Sequence, residues 1–347
     1  MISLPSCIET GGYWDVENIF ESNPPLKWKW NSSTGSCNMY LDSPQQIRES
    51  LANQTIYFVG DSTMREMLWD TALYLKGCPH RPLSGARRLE DSFECNLIIS
   101  KSWGHWFATI RNQDGSFLNL GFHSLTYARM ATSSDWWKNL LLNATDNDGT
   151  NYDHSLTILM NAGHWNLRFD AKELNLLSYE EVKQNYVKEV STMIQNLTAQ
   201  PNINELRQRL IWRSTLPIDA GASLGEMFTL ARIEECNNII TKMWKNAGFR
   251  VLDVWKFGNV ADPSLSSLLR RDGIHYHPWA NAAMLNVVAS AVLESITNPH
   301  HIIKEGSILF KRRSKPSSGF LIATTTDSWL FVSIFIFLVF LVLRRKK

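Results

Sequence analysis

The sequence predicts an α/β domain built on a mostly parallel sheet with helices on both faces, an irregular N-terminal cap before it and a single C-terminal transmembrane helix after it. Three observations predict this. Short β-branched and apolar runs alternate with longer segments of three- and four-residue apolar spacing across residues 51–297. The first run, Ile56-Tyr57-Phe58-Val59, ends in Gly60-Asp61-Ser62 and passes directly into a helical pattern. Near the C-terminus, residues 329–343 are uncharged and apolar, and Arg344-Arg345-Lys346-Lys347 follow them.

Taken in order, residues 1–50 hold Trp14, Trp28, Trp30, a Pro24-Pro25 turn and two cysteines with little periodicity, and so read as an aromatic, irregular cap. A domain over 51–297 follows. Its first strand, 56–59, leads into a helix over 63–75 in which Met64, Met67, Leu68, Thr71, Ala72 and Leu75 form one apolar stripe. Strands are expected near 97–99 and 107–111 and over 155–160, then a helix over 179–197, a strand over 209–213 and a helix over 226–247. A strand over 249–254 and a helix over 279–296 complete the domain. Pro278 suits that helix's first turn, where a missing N–H is harmless, and Ala282, Ala283, Val287, Ala291, Val292 and Ile296 form its stripe. Residues 298–327, with Lys311-Arg312-Arg313 and Pro316, read as a linker. Residues 328–343 read as the membrane span and 344–347 as its basic tail. At about 1.5 Å per residue the apolar run reaches roughly 22 Å, so its flanks must contribute or the membrane must be thin. A buried core helix is the alternative; a lipid-anchor signal is disfavoured because the chain ends in cations.

With 347 residues and 44% hydrophobic content, the chain can bury one sizeable core. A net charge of +2 from 35 basic and 33 acidic residues gives no basic face for nucleic acid. The 14 Trp suit cores and also stacking on sugar rings. The five cysteines, Cys7, Cys37, Cys78, Cys95 and Cys236, lack metal-ligand spacing, so no metal is expected. Pairing Cys7 with Cys37 and Cys78 with Cys95 would staple two loops in an oxidising compartment, leaving Cys236 as a buried thiol. The basic tail favours a cytosolic C-terminus, whereas the first residues, MISLPSCIETGGYW, lack an apolar signal segment. Sequons at Asn31, Asn53, Asn143 and Asn196 lean toward the secretory pathway. The expectation is a single-pass membrane protein with a luminal or extracellular domain; a tail-anchored protein with a cytosolic domain is the alternative.

Ligands of open α/β sheets bind at the carboxyl ends of strands, and Ser62 sits at such an end with a helix N-terminus behind it. Backbone N–H groups and the helix dipole there can stabilise a developing oxyanion. A serine hydroxyl needs a base, and Asp272-Gly273-Ile274-His275 supplies an imidazole with a carboxylate three residues earlier to hold its tautomer. Alone, Gly-Asp-Ser is more often a turn or N-cap sequence than a catalytic one, and Asp-Gly-Ile-His is equally a surface turn. Their order and placement favour chemistry. A competing nucleophile elbow, Gly221-Ala222-Ser223-Leu224-Gly225, lacks a strand running straight into Ser223. His275 and His277 as a metal pair lack a third ligand.

On these blocks the chain resembles the SGNH, or GDSL-like, hydrolase superfamily, whose fold is a three-layer α/β domain, with Gly-Asp-Ser after the first strand and Asp-x-x-His before the last helix. Within it, the chain is similar to the PC-esterase branch, which includes trichome-birefringence-like and sialic-acid O-acetyltransferases and neurexophilin/PC-esterase proteins. The matching marks are Gly60-Asp61-Ser62-Thr63-Met64-Arg65, Asn161-Ala162-Gly163-His164-Trp165, Trp212-Arg213-Ser214-Thr215-Leu216-Pro217 and Asp272-Gly273-Ile274-His275. The similarity spans about residues 5–297. It implies Ser62 as nucleophile, His275 as base and Asp272 as its orienter, with the Ser62 N–H in the oxyanion hole. A glycine and an asparagine normally complete that hole: Gly163 or Gly121 is the glycine, and Asn161, preferred over Asn166, the asparagine. Arg65 matches an arginine of the branch and would position substrate, an exposed helix cation being the alternative; His164 and Trp165 are further substrate-binding candidates.

The implied activity is acyl, most simply acetyl, transfer to hydroxyls of a glycan through an acyl-enzyme on Ser62. A carbohydrate or lipid O-acyl esterase and a catalytically inactive glycan-binding protein are the alternatives. No bound cofactor is expected. A transferase would need an acetyl donor such as acetyl-CoA as co-substrate, and no donor site is legible. The partners expected are a hydroxyl-bearing glycan substrate and the membrane.

Overall fold

The computed structural model describes residues 12–15, 27–30, 43–78, 99–102, 105–133, 135–137, 140, 156–200, 203–219, 228–259, 269–270 and 272–297. The expected linker, span and basic tail, Ser223, and the cysteines at 7, 37 and 95 lie outside them. Among the described residues no helix is long and apolar enough to cross a membrane.

The N-terminal stretch expected to be irregular contains a two-stranded antiparallel ribbon, β1 (Gly12–Asp15) with β2 (Lys27–Trp30), in which Trp14 lies opposite Trp28. It also contains a short helix, α1 (Pro44–Ser50), started by Pro44 and a reciprocal cap between Ser43 and Gln46. Ile47 of α1 and the following Leu51 are fully buried in the main core, so the stretch is not wholly a cap.

The main domain then runs β3 (Gln54–Gly60), α2 (Ser62–Lys76), β4 (Ile99–Ser102), β5 (His105–Arg111) and β6 (Phe117–Ser124). A 3-10 turn, Ala128–Thr132, leads toward β7 (Leu156–Met160), α3 (His164–Glu173), α4 (Tyr179–Thr198), α5 (Ile203–Arg209) and β8 (Leu210–Arg213). The described residues finish with α6 (Leu230–Asn246), β9 (Arg250–Leu252), α7 (Trp255–Gly258) and α8 (Pro278–Thr297). The seven-stranded sheet has the order β4-β5-β6-β3-β7-β8-β9. Strands β6, β3, β7, β8 and β9 are parallel, while β4 and β5 pair antiparallel at one edge.

Both faces of the sheet are buried, as a parallel sheet requires. On β3 the alternation is explicit. Ile56 and Phe58 enter a core shared with Met64, Met67, Leu68, Ala72 and Leu75 of α2 and with Met284, Leu285 and Val288 of α8. Tyr57 and Val59 enter the opposite core, formed with Val182, Tyr186, Val190 and Met193 of α4 and Ile233, Ile240 and Trp244 of α6. The result is three layers, with the parallel carboxyl ends of five strands opening on one side. Cys236 is a free, buried thiol on α6, and Cys78 is disulfide-bonded to a residue outside the described set.

Candidate active site

Strand β3 ends where a side chain cannot fit. A Cβ on Gly60 would lie 2.3 Å from Met64 Cγ and 3.0 Å from the Asn161 carbonyl oxygen. The next residue, Asp61, caps α2: its Oδ1 accepts the Thr63 N–H at 2.9 Å and the Thr63 hydroxyl at 2.7 Å. Ser62 is thereby the first residue of the helix. Among the described residues its backbone N–H has no acceptor, as expected in a first helical turn.

Ser62 Oγ lies 2.8 Å from His275 Nε2, and His275 Nδ1 lies 2.7 Å from Asp272 Oδ2. A carboxylate only accepts, so Nδ1 carries the proton and Nε2 is left to take the Ser62 hydroxyl proton. The other carboxylate oxygen accepts the backbone N–H groups of Ile274 at 3.1 Å and His275 at 2.8 Å, which a turn through Gly273 at φ +83° makes reachable. Burial pushes the Asp272 carboxyl up. The backbone N–H, ring and charge of His275 outweigh it, holding the group below the usual carboxylate range. The His275 and Asp272 side chains are 19% and 48% exposed, so the arrangement is open to solvent and substrate.

A second set of contacts fixes the loop that carries Asp272 and His275. Arg270 is buried and donates to the carbonyls of Pro217 at 3.0 Å and Gly258 at 2.5 Å and to the Tyr276 hydroxyl at 2.8 Å. The Asp219 N–H donates to the Gly273 carbonyl at 2.8 Å. The carbonyl of Pro217, at the end of the block Trp212 to Pro217, thus anchors the loop that carries Asp272 and His275.

The Asn161-Ala162-Gly163-His164-Trp165 block leaves the carboxyl end of β7, next to β3, yet its side chains do not act as expected. Asn161 is fully buried and its Nδ2 donates to the Arg213 carbonyl at 3.0 Å, bracing β7 to β8. Asn166 is equally withdrawn. Its Oδ1 accepts the Ala128 N–H at 3.1 Å, and its Nδ2 donates to Asp170 and Glu189, each at 2.8 Å. Gly163 remains available through its backbone: its N–H has no acceptor among the described residues. Its φ of +150° and a Cβ position 2.3 Å from Thr215 Oγ1 require glycine.

His164 is 4% exposed and its Nε2 lies 2.8 Å from the Leu216 carbonyl oxygen, so little of its ring faces solvent. Trp165 is half-buried, edge-on to Tyr127 at 5.9 Å and against Phe169 at 4.6 Å, and it is the one aromatic of the block open to a ligand. Arg65 is exposed one turn after Ser62. Gly121 is not brought to the nucleophile. It pairs with Tyr57, three residues before the Gly60–Ser124 pair, about 10 Å back along the strands. Among the described residues no group of three or more His, Cys, Asp or Glu side chains could hold a metal ion.

Arg213 has a role that only the fold assigns. Arg213 is fully buried; it donates to Thr63 Oγ1 at 3.1 Å, and Thr63 donates in turn to Asp61. Burial pulls the guanidinium down to about 10, opposed by the Asp61 charge. A buried cation thus compensates the Asp61 carboxylate through one hydroxyl. The available signal was an arginine inside an otherwise apolar strand, since such a group is not buried without a partner.

No family model matches the sequence, and no curated protein matches it. Among solved structures, the chain is similar to a GDSL-like lipase from Bacteroides thetaiotaomicron, with 11% identity, a TM-score of 0.40, and 70% of this chain and 89% of that one covered. It is also similar to an acetylxylan esterase from Geobacillus stearothermophilus, with 10% identity, a TM-score of 0.38, and 73% and 97% covered. A lipase/acylhydrolase from Enterococcus faecalis matches at 11% identity and a TM-score of 0.37, over 69% and 95%. Likenesses this distant transfer no residue roles.

Proposed function

We propose that the domain is a serine esterase of the SGNH type, making or breaking O-acyl esters through an acyl-enzyme on Ser62. The observation that supports it best is the continuous chain from Ser62 Oγ to His275 Nε2 at 2.8 Å and from His275 Nδ1 to Asp272 Oδ2 at 2.7 Å. In this reading His275 removes the Ser62 proton as Oγ attacks the ester carbonyl. The Ser62 N–H and the α2 dipole, with the Gly163 N–H, stabilise the oxyanion. His275 then protonates the departing alcohol and activates the second acceptor for attack on the acyl-enzyme.

The finer reading is acetyl transfer to a glycan hydroxyl. It rests on the PC-esterase-type blocks and on Trp165 beside Tyr127 at the same sheet end, which suit stacking on a sugar ring. Water as acceptor makes the same site a carbohydrate or lipid esterase. An acetyl donor is then a substrate and not a resident cofactor.

A fluorophosphonate probe tests the core claim: labelling of wild type, lost in Ser62→Ala and kept in Ser223→Ala, is the expected result. Unlabelled wild type removes the nucleophile, and loss only in Ser223→Ala moves it. Acetate release from an activated acetyl ester, with and without oligosaccharide acceptors, separates the two finer readings. Transferase activity predicts acetylated acceptor at the expense of free acetate.

A further inference from the structure

His164 is a buried titratable ring that the triad does not use, and both of its nitrogens face oxygen. Nε2 lies 2.8 Å from the Leu216 carbonyl oxygen, while Nδ1 lies 3.7 Å from Asp61 Oδ2. A carbonyl only accepts, so Nε2 carries the proton, and in the neutral ring Nδ1 is a bare lone pair. Nδ1 and Asp61 Oδ2 are both buried without a hydrogen-bond partner among the described residues. Two acceptors therefore face each other across a gap too long for a hydrogen bond, with no proton between them. This contact is repulsive when the ring is neutral and attractive when it is charged. Asp61 is peptide-bonded to Ser62, and its other oxygen holds the first turn of α2 through Thr63.

The groups facing this ring come from four elements. Asp61 precedes α2, Arg213 ends β8, His275 lies on the triad loop, and the Phe228 ring before α6 sits edge-on at 5.5 Å. Burial lowers the proton affinity of His164; the Asp61 charge and the Leu216 bond favour the proton, while Arg213 and His275 oppose it. Burial prevails, holding the proton affinity of the ring below that of an ordinary histidine.

We propose that neutral His164 is a positioning residue for Ser62, its bare Nδ1 keeping the Asp61 carboxylate on Thr63, and that proton uptake at Nδ1 pulls this carboxylate away and inactivates the turn. One proton from solvent adds to Nδ1, an N–H to Oδ2 contact forms, and the Thr63 N–H to Oδ1 bond weakens. The activity readout rests on the esterase reading; the spectroscopic readout does not.

The test uses the full-length chain. Ring 15N NMR at neutral pH is expected to show His164 protonated at Nε2 and bare at Nδ1, and acidification is expected to protonate Nδ1 and shift the Thr63 amide proton upfield. With p-nitrophenyl acetate, the wild-type acid limb of log kcat against pH is expected to steepen from one proton to two, and in His164→Gln to remain at one. KM in that variant is expected to stay within about twofold, because the ring is buried. A ring protonated at Nδ1 at neutral pH, or an acid limb of equal proton number in both proteins, overturns the proposal. If His164→Gln fails to fold, the wild-type ring and Thr63 titrations decide. A wild type that hydrolyses no ester and leaves Ser62 unlabelled overturns the esterase reading, and the positioning claim then stands or falls on the spectra.

Discussion

Asp272 performs two jobs with two oxygens, and the geometry separates them. Oδ1 holds the backbone of its own turn, while Oδ2 fixes the proton on His275 Nδ1. Asp272→Asn is therefore expected to preserve the turn but let the amide donate toward Nδ1, favouring the wrong tautomer. A loss of about 10³–10⁴ in kcat with little change in KM or thermal midpoint is the expected outcome, read from steady-state kinetics and a melting curve. A loss in both KM and stability would instead make Asp272 chiefly a loop anchor. Because the folded carboxyl is held low, its contribution to stability is present above the ordinary value near pH 3.9 and is lost as pH falls through the depressed one. The hydrogen-bonded chain Ser62–His275–Asp272 joins residues that the sequence already singles out, because each borders a turn of recognisable chemistry. Arg213 was not assigned a role, because its compensation of Asp61 through Thr63 joins residues far apart in sequence. The amide partner of Asn161, the Arg213 carbonyl, is hidden for the same reason, since it appears only when β7 and β8 pair.

At the scale of elements, the strands and helices with regular apolar spacing were legible and those shaped by a neighbour were not. The segment Phe117 to Ser124 is a strand whose apolar pattern in the sequence is interrupted by Asn119 and Gly121. In the sheet, Leu118, Leu120 and Phe122 form one buried face, and Gly121 lies on the other face, where the Tyr57 ring takes the space of a side chain. Helix α3 was hidden similarly. Its buried positions include Asn166 and Asp170, satisfied by Arg129 and Glu189, so it shows no continuous apolar stripe. Gly121→Ala is expected to destabilise the domain by roughly 1–3 kcal/mol, since the new Cβ would lie 2.1 Å from a Tyr57 ring carbon. Urea unfolding measures this. Activity per folded molecule should be unchanged; a fall in kcat at unaltered stability would restore Gly121 to the oxyanion hole.

Considered whole, the molecule gathers its sequence blocks by sheet topology, because strand order β6-β3-β7-β8-β9 brings five parallel carboxyl ends side by side. The surface away from that end bears on which compartment the domain occupies. Cys78 is disulfide-bonded, which suits an oxidising compartment. Of the two sequon asparagines in the described residues, Asn53 is exposed in the turn before β3 at φ +59°, a conformation asparagine tolerates. Its Oδ1 accepts the Phe117 N–H at 3.4 Å, and its Nδ2 has no acceptor among the described residues. Asn196 differs: it lies within α4, half-buried, with Nδ2 donating to the Thr132 carbonyl. A glycan at Asn53 leaves the fold intact, whereas one at Asn196 must break that hydrogen bond and open the contact between α4 and the 3-10 turn. If the domain enters the secretory pathway, glycan is expected at Asn53 and absent from Asn196. Site-resolved mass spectrometry after enzymatic deglycosylation in heavy-oxygen water checks both positions in protein made by eukaryotic cells. Occupancy at Asn196 would contradict the packing of α4. An unmodified Asn53 would favour the tail-anchored alternative with a cytosolic domain, where an acyl donor such as acetyl-CoA is directly at hand.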